Sequence, residues 1–192
     1  MYTTRIMKAE TSFGSGEDIL YGRVIGATLT QGLQELQQGL EYDPSNHNYY
    51  LLLGNVFVQQ GRYDRAVEYL ATAHQLNPLS HRILFALTIA QHEQAKRQKK
   101  ADDAAMLEGL RQTIELFPGS SFYHFIYADY LRKAGESEKA YEQMMVVLAL
   151  DPSLENTLQS VNDYYNDTKL LERAESYTIW HKLLSAGLVP LN

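Results

Sequence analysis

The sequence predicts an all-α chain built from repeated antiparallel helical hairpins, and two observations support this prediction. The first is a set of four similar segments, LEYDP, HQLNP, IELFP and LALDP, whose prolines, Pro44, Pro78, Pro118 and Pro152, lie 34, 40 and 34 residues apart. Proline cannot continue a helix, so each segment indicates a helix end followed by a turn. The second observation is a helical periodicity between the prolines, and a repeat of this length is typical of solenoid architectures.

The period that ends at Pro78 shows how one hairpin is built. Residues spaced i, i+3, i+4 and i+7 give its first helix one packing face; they are Tyr50, Leu53, Gly54 and Phe57. Gly61 predicts the turn, and a second helix follows. The apolar face of this second helix consists of Ala66, Leu70 and Ala73. We expect the small residues of both faces, such as Gly54, to lie where the two helices approach closely.

Tyrosine occurs 14 times and forms two adjacent pairs, Tyr49–Tyr50 and Tyr164–Tyr165. In each pair one ring should pack between helices, because neighbouring residues on a helix point in different directions. We expect Tyr50 and Tyr165 to be the packed rings.

The stretch YYLLLGNVFVQQGRYDRAVEYLATAHQLNP resembles a tetratricopeptide repeat. The stretch SFYHFIYADYLRKAGESEKAYEQMMVVLALDP resembles one nearly as well. The resemblance implies a right-handed α-solenoid of about four to five hairpins. It also implies that the first helices line a concave groove that holds a peptide or helix of a partner.

The resemblance divides the chain into three parts. Residues 1–15 are expected to form a flexible lead-in, 16–186 the solenoid, and 187–192 a C-terminal tail. The repeats are expected at 13–46 (degenerate), 47–80, 81–120, 121–154 and 155–186 (degenerate).

The repeat at 81–120 contains six additional residues, within the basic stretch HEQAKRQKKADD. This stretch lacks glycine and proline and is rich in helix formers, so its first helix should continue past Gln94 to about Gln98. A Glu93–Arg97 pair would support the extension, and Asp102 or Asp103 should begin the next helix. The cations then form a protruding tip, either solvated or in contact with an acidic partner or anionic surface. They are Lys96, Arg97, Lys99 and Lys100.

Groove positions follow from the resemblance as the second, fifth, ninth and twelfth residues of each repeat. In the three clearer repeats these are Asn48, Leu51, Asn55, Val58, Arg82, Phe85, Ile89, His92, Phe122, Phe125, Asp129 and Arg132. In the last repeat they are Asn156, Gln159, Asp163 and Asn166. The middle of this set is apolar and aromatic, which favours an apolar peptide or amphipathic helix as the ligand. The lysines of the clamp that binds chaperone tails are missing, which argues against that ligand.

The expected function is therefore a non-enzymatic scaffold or adaptor, with a bacterial envelope or secretion-type assembly as one setting. Two alternatives are a self-assembly module and a regulatory domain excised from a larger protein. The final predicted helix carries Ile179, Trp180, Leu183 and Leu184, a surplus of apolar residues that suggests a homodimer contact or a docking site for a further domain. The groove could also be covered by the chain's own N-terminal segment or by a second copy.

Composition excludes several other classes. The formal net charge of −6 argues against nucleic-acid binding, which needs a basic footprint. The absence of cysteine excludes disulfides and thiolate metal sites. The first residues lack a signal-peptide core, and no apolar run has the length of a membrane span. We expect no membrane insertion, and a cytoplasmic or periplasmic location.

No catalytic motif is found in the sequence. The segment His92–Lys96 begins like a zinc-protease motif but has lysine where the second histidine is required. There is no glycine-rich phosphate loop and no nucleophile elbow. The sequence therefore predicts no catalytic, cofactor-binding or metal-binding residues.

Overall fold

A computed structural model describes residues 8, 10–14, 16–17 and 28–151. Residues 28–151 form seven α-helices and contain no strand, which confirms the predicted all-α class of helical hairpins. The helices are α1 (Leu29–Tyr42), α2 (His47–Gln59), α3 (Tyr63–Leu76), α4 (His81–Arg97), α5 (Asp103–Leu116), α6 (Ser121–Lys133) and α7 (Ser137–Leu150). Residues 10–14 are also helical.

The turns inside two hairpins depend on glycine. Gly61 joins α2 to α3 with φ of 66°, and Gly135 joins α6 to α7 with φ of 82°. A side chain is unfavourable in this left-handed region, because Cβ comes too close to the backbone. At the first turn, the N–H of Arg62 donates to the carbonyl of Phe57 at 2.8 Å, which satisfies a carbonyl at the end of α2.

The turns between hairpins follow a common rule. Two residues after the prolines at 44, 78 and 118, a polar residue caps the next helix. Asn46 accepts from the N–H of Asn48 at 3.1 Å, Ser80 from Ile83 at 3.5 Å and Ser120 from Tyr123 at 3.3 Å. Each proline therefore follows a helix end, and the cap starts the next helix.

Small residues set the distance between paired helices, as predicted for Gly54. A Cβ at Gly54 would lie 2.7 Å from Cδ2 of Leu70 on α3, so only glycine fits there. The following hairpin uses the reverse arrangement. Its first helix carries Thr88, and the small residue is Gly109 on α5, where a Cβ would lie 2.5 Å from Thr88 Cγ2. The close approach is kept while the glycine moves to the opposite helix.

The chain divides into two compact units, 1–117 and 118–192. In the first unit, α2 packs on α1 and α3, α3 on α4, α4 on α5, and the two first helices α2 and α4 lie side by side. Its largest core cluster contains Leu51, Phe57, Ala66, Leu70, Ala73, Ile83, Leu87 and Ala90. In the second unit, α6 pairs with α7 around Ala128, Met144, Val147 and Leu148.

Tyr49 is the fully buried ring of the first tyrosine pair, while Tyr50, the ring that was predicted to pack, is partly buried against the largest core cluster. Tyr49 lies against Gly39 of α1, where a Cβ would be 2.5 Å from its Cζ. It also contacts Phe13, which falls within the predicted lead-in, at a ring distance of 5.1 Å. Tyr50 is half-buried, and its hydroxyl donates to the Pro44 carbonyl at 3.0 Å. Burial, helped by the negative charge of Asp43, raises the pKa of Tyr49 to about 12.

Several predictions lie outside the described residues. They concern the repeat at 155–186, its groove positions, Tyr165, the apolar residues from Ile179 to Leu184, and the tail at 187–192.

Candidate protein-binding surface

The hairpin formed by α4 and α5, called the long hairpin below, contains the six additional residues. They add one turn to its first helix and lengthen the loop that follows. Helix α4 has 17 residues, whereas α2 and α6 have 13 each. The remaining two residues precede Asp102, which caps α5 by accepting from the N–H of Ala104 at 2.9 Å. The predicted extension of the first helix and the helix start at Asp102 are therefore confirmed.

Lys99 occupies the turn position that glycine holds in the other two hairpins. Its φ is 55°, in the left-handed region, and the N–H of Lys100 donates to the carbonyl of Ala95 at 2.8 Å. This is the same bond that closes the turn at Gly61. The long hairpin therefore keeps the turn geometry of the other two. Its turn residue has a side chain, however, which makes the left-handed conformation of Lys99 unfavourable.

The four predicted tip cations do not act as one group. Lys96 pairs with Glu93 at 2.9 Å, so the predicted Glu93–Arg97 pair is wrong. Arg97 instead lies over the ring of Tyr63, with 4.7 Å between the guanidinium carbon and the ring centroid. The reason is tertiary: Arg97 lies on the side of α4 that packs on α3, and a cation is attracted to an aromatic face. All four cations are exposed.

A cleft of about 470 Å³ lies where the extended part of α4 meets the start of α3. Its lining residues are Gly61, Arg62, Tyr63, Asp64, Arg65, Glu68, Gln94, Arg97 and Gln98. The amide of Gln94 donates to Asp64 at 2.7 Å across the cleft. Sequence reasoning missed Arg62 and Arg65, because only the packing of α4 on α3 brings them near Arg97.

The predicted groove positions of the first unit differ in accessibility. Leu51 and His92 are buried, at 7% and 8% exposure, and so offer little surface to a ligand. The others lie on the adjacent helices α2 and α4 and remain partly or fully accessible. Asn55, Val58, Phe85 and Ile89 are half-buried, while Asn48 and Arg82 are exposed. We call these six accessible residues the first-helix face.

In the second unit the predicted positions lie along α6. Phe122 is 55% exposed, and Phe125 is half-buried against the core cluster of α6 and α7. Asp129 accepts a hydrogen bond from Arg132 at 3.2 Å and pairs with Lys133. Burial raises the pKa of Asp129, but the hydrogen bonds from Lys133 and Arg132 outweigh it, so this pKa lies below the usual value. The carboxylate is thus engaged within its own helix.

Among the described residues, neither the histidines nor the helices indicate a metal site or a membrane span. His124 is buried, with Nδ1 2.7 Å from Gln143 Oε1 and Nε2 3.0 Å from the Pro118 carbonyl, an arrangement that fixes the start of α6. Across residues 28–151 and the described residues before them, no group of side chains could hold a metal ion. Among the same residues, no helix is long and apolar enough to cross a membrane.

Capped helical hairpins joined at regular prolines define a helical-repeat protein. Residues 29–81 and 51–119 match the tetratricopeptide repeat family model. The chain is a tetratricopeptide repeat protein, a family that consists in general of protein-interaction modules rather than enzymes.

Solved structures show the same fold at low sequence identity. A crystal structure of MamA is 18% identical with a TM-score of 0.69, covering 96% of this chain and 98% of that one. MamA from Desulfovibrio magneticus RS-1 is 15% identical with a TM-score of 0.70, covering 95% and 98%. YrrB, a TPR protein with an unusual peptide-binding site, is 18% identical with a TM-score of 0.66, covering 91% and 87%. Among curated protein sequences, none matches this chain significantly.

Proposed function

We propose that this chain is a non-enzymatic scaffold that binds an apolar peptide or an amphipathic helix of a protein partner on the first-helix face. The observation that carries the proposal is the half-buried set Val58, Phe85 and Ile89 on the adjacent helices α2 and α4. The polar residues Asn48 and Arg82 are exposed on the same two helices. Accessible apolar side chains together with exposed polar ones on the same two helices suit a ligand that presents apolar side chains at i, i+3 or i+4.

The expected affinity is modest. Full burial of an exposed aliphatic or aromatic side chain contributes about 1.5–3 kcal/mol, so covering the remaining half of three side chains contributes roughly 3 kcal/mol. Association has its own cost in lost freedom of motion, so further contacts are required for stable binding.

The likeness to YrrB supports a ligand of this kind, since YrrB has the same fold and a peptide-binding site. The inference for this chain rests on its own exposed residues, because the two sequences share only 18% identity. Leu51 and His92, although predicted from the resemblance, are left out of the contact surface because they are buried.

Glutamine substitutions test the proposal with a matched control. Ile89→Gln and Phe85→Gln remove apolar surface from the first-helix face. Leu79→Gln makes the same type of change at a residue that is 77% exposed in the loop before α4 and outside the proposed face. The full chain is used as bait in an extract of its native source. The segment of the partner that binds is then made as a synthetic peptide and titrated by calorimetry.

We expect Ile89→Gln and Phe85→Gln each to weaken binding of that peptide about five- to tenfold, and Leu79→Gln to change it less than about twofold. Binding should show a negative heat-capacity change, the mark of apolar burial. Equal affinity for the wild type and all three variants would refute the proposal. Sedimentation of the same variants separates it from self-assembly: loss of an oligomer with intact peptide binding would favour the self-assembly alternative.

A further inference from the structure

The cleft beside the long hairpin contains two arginines whose charges are placed against aromatic rings. The guanidinium of Arg62 lies 4.9 Å from the centroid of Phe57, and that of Arg97 lies 4.7 Å from the centroid of Tyr63. Neither forms an ion pair with any residue that the structure describes. A ring face attracts the cation but does not accept its N–H groups in the guanidinium plane. Both arginines line the cleft.

The carboxylates of the cleft are engaged by other side chains. Asp64 accepts from Gln94 at 2.7 Å, and Glu68 pairs with Arg65 at 3.1 Å. The lining therefore holds three arginines against two carboxylates, a positive excess in a chain of net charge −6. Helix α3 also begins here without a side-chain cap, which adds the positive end of its dipole to the same region.

We propose that this cleft binds the carboxylate of an acidic peptide segment from a protein partner. A planar guanidinium matches a carboxylate through two parallel hydrogen bonds, which lysine cannot form. A volume of about 470 Å³ falls within the range of about 300–1,000 Å³ that is common for ligand sites. The cleft shares no lining residue with the first-helix face, so it is a second contact site, independent of the proposed apolar one.

The site depends on the additional turn of α4. Arg97 is the last residue of that helix, one turn beyond the point where α2 and α6 end in their own hairpins. The extension places Arg97 beside Gly61, whose missing side chain leaves room for the guanidinium: a Cβ there would lie 2.8 Å from Arg97 Nη2. Lys99 and Lys100, which belong to the same basic stretch, do not line the cleft. Of the four cations in the basic stretch, only Arg97 lines the cleft.

Charge-neutral variants of the full chain test this assignment. The probes are a fluorescein-labelled hexaglutamate peptide and, for comparison, a hexaglutamine peptide with the same label. Fluorescence anisotropy gives the affinity of the wild type, Arg62→Gln, Arg97→Gln and Arg65→Gln. Lys100→Gln is the matched control, because it removes the same charge from the same turn outside the cleft. Circular dichroism confirms that each variant is folded.

We expect hexaglutamate to bind at least about tenfold more tightly than hexaglutamine. Arg62→Gln and Arg97→Gln should each weaken it about fivefold or more, and Lys100→Gln less than about twofold. In NMR titrations the amide signals of Gly61 and Gln98 should move, and that of Leu79 should not. Ile89→Gln should leave hexaglutamate binding unchanged, which separates this site from the apolar face. Equal losses in Arg97→Gln and Lys100→Gln, or equal affinity for the two peptides, would overturn the assignment.

Discussion

The contact between Gly54 and Leu70 offers a quantitative test of how the hairpins pack. A Cβ at position 54 would lie 2.7 Å from Cδ2 of Leu70 and closer still to its Cγ, whereas carbon atoms normally approach to about 3.5–4.0 Å. Leu70 is fully buried and has little space to move. Gly54→Ala gains about 1 kcal/mol in helix propensity but adds an overpacking penalty of about 1–3 kcal/mol. We expect a net loss of up to about 2 kcal/mol in the free energy of unfolding.

A double-mutant cycle separates this clash from any general effect of the substitution. Leu70→Ala alone should cost about 2–5 kcal/mol, because it leaves a cavity. In that background the space is empty, so Gly54→Ala should be neutral or stabilising by up to about 1 kcal/mol. The coupling energy is then about 2 kcal/mol.

Urea denaturation followed by circular dichroism measures each corner of the cycle. Gly119→Ala serves as the control, since no atom lies within 4 Å of a Cβ at that position. It should change the free energy of unfolding by less than about 0.5 kcal/mol. If Gly54→Ala carried the same penalty with alanine at position 70 as with leucine, the packing argument would be refuted.

Three further predictions concern single groups. Lys99→Gly should stabilise the protein by about 0.5–1 kcal/mol in urea denaturation, because it removes a side chain from a left-handed φ of 55°. The pKa of Tyr49 is raised, so the unfolded chain ionises first and the stability should fall by up to about 2 kcal/mol as the pH rises from about 10 to about 12. Denaturation at several pH values should show this fall in the wild type and Tyr50→Phe but not in Tyr49→Phe. Hydrogen bonds from Arg111 and Gln112 lower the pKa of Glu108 to about 2. In Arg111→Gln an NMR titration should find that pKa shifted back toward 4.5.

The basic stretch HEQAKRQKKADD shows which properties a local sequence can predict. Helix propensity and the missing glycine predicted an extended first helix, and Asp102 predicted the next helix start; both are confirmed. The side chain that each cation contacts was harder to predict. Spacing on a single helix favoured Glu93–Arg97, but the aromatic ring that attracts Arg97 belongs to α3. The spacing of residues in a sequence predicts which side chains are neighbours on one helix. It does not predict which side chains of other helices come into contact when the helices pack.

The same limit applies to the expected groove residues. The positions expected from the repeat include Val58, Phe85 and Ile89, which lie on the adjacent helices α2 and α4. They did not distinguish these accessible side chains from Leu51 and His92, which neighbouring side chains cover. Burial depends on how closely adjacent helices approach, and this distance is set by contacts between residues far apart in the chain.

By itself, the sequence of this protein determined the class of fold and the family. Prolines, caps and turn glycines act on the backbone within a few residues, so their effect can be predicted locally. Only the tertiary structure decided that Tyr49 rather than Tyr50 is buried, that Gly109 takes the role of Gly54 in the long hairpin, and that Arg62, Arg65 and Arg97 line one cleft. Each of these depends on which helices meet and at what distance, and therefore on the packing of the whole first unit.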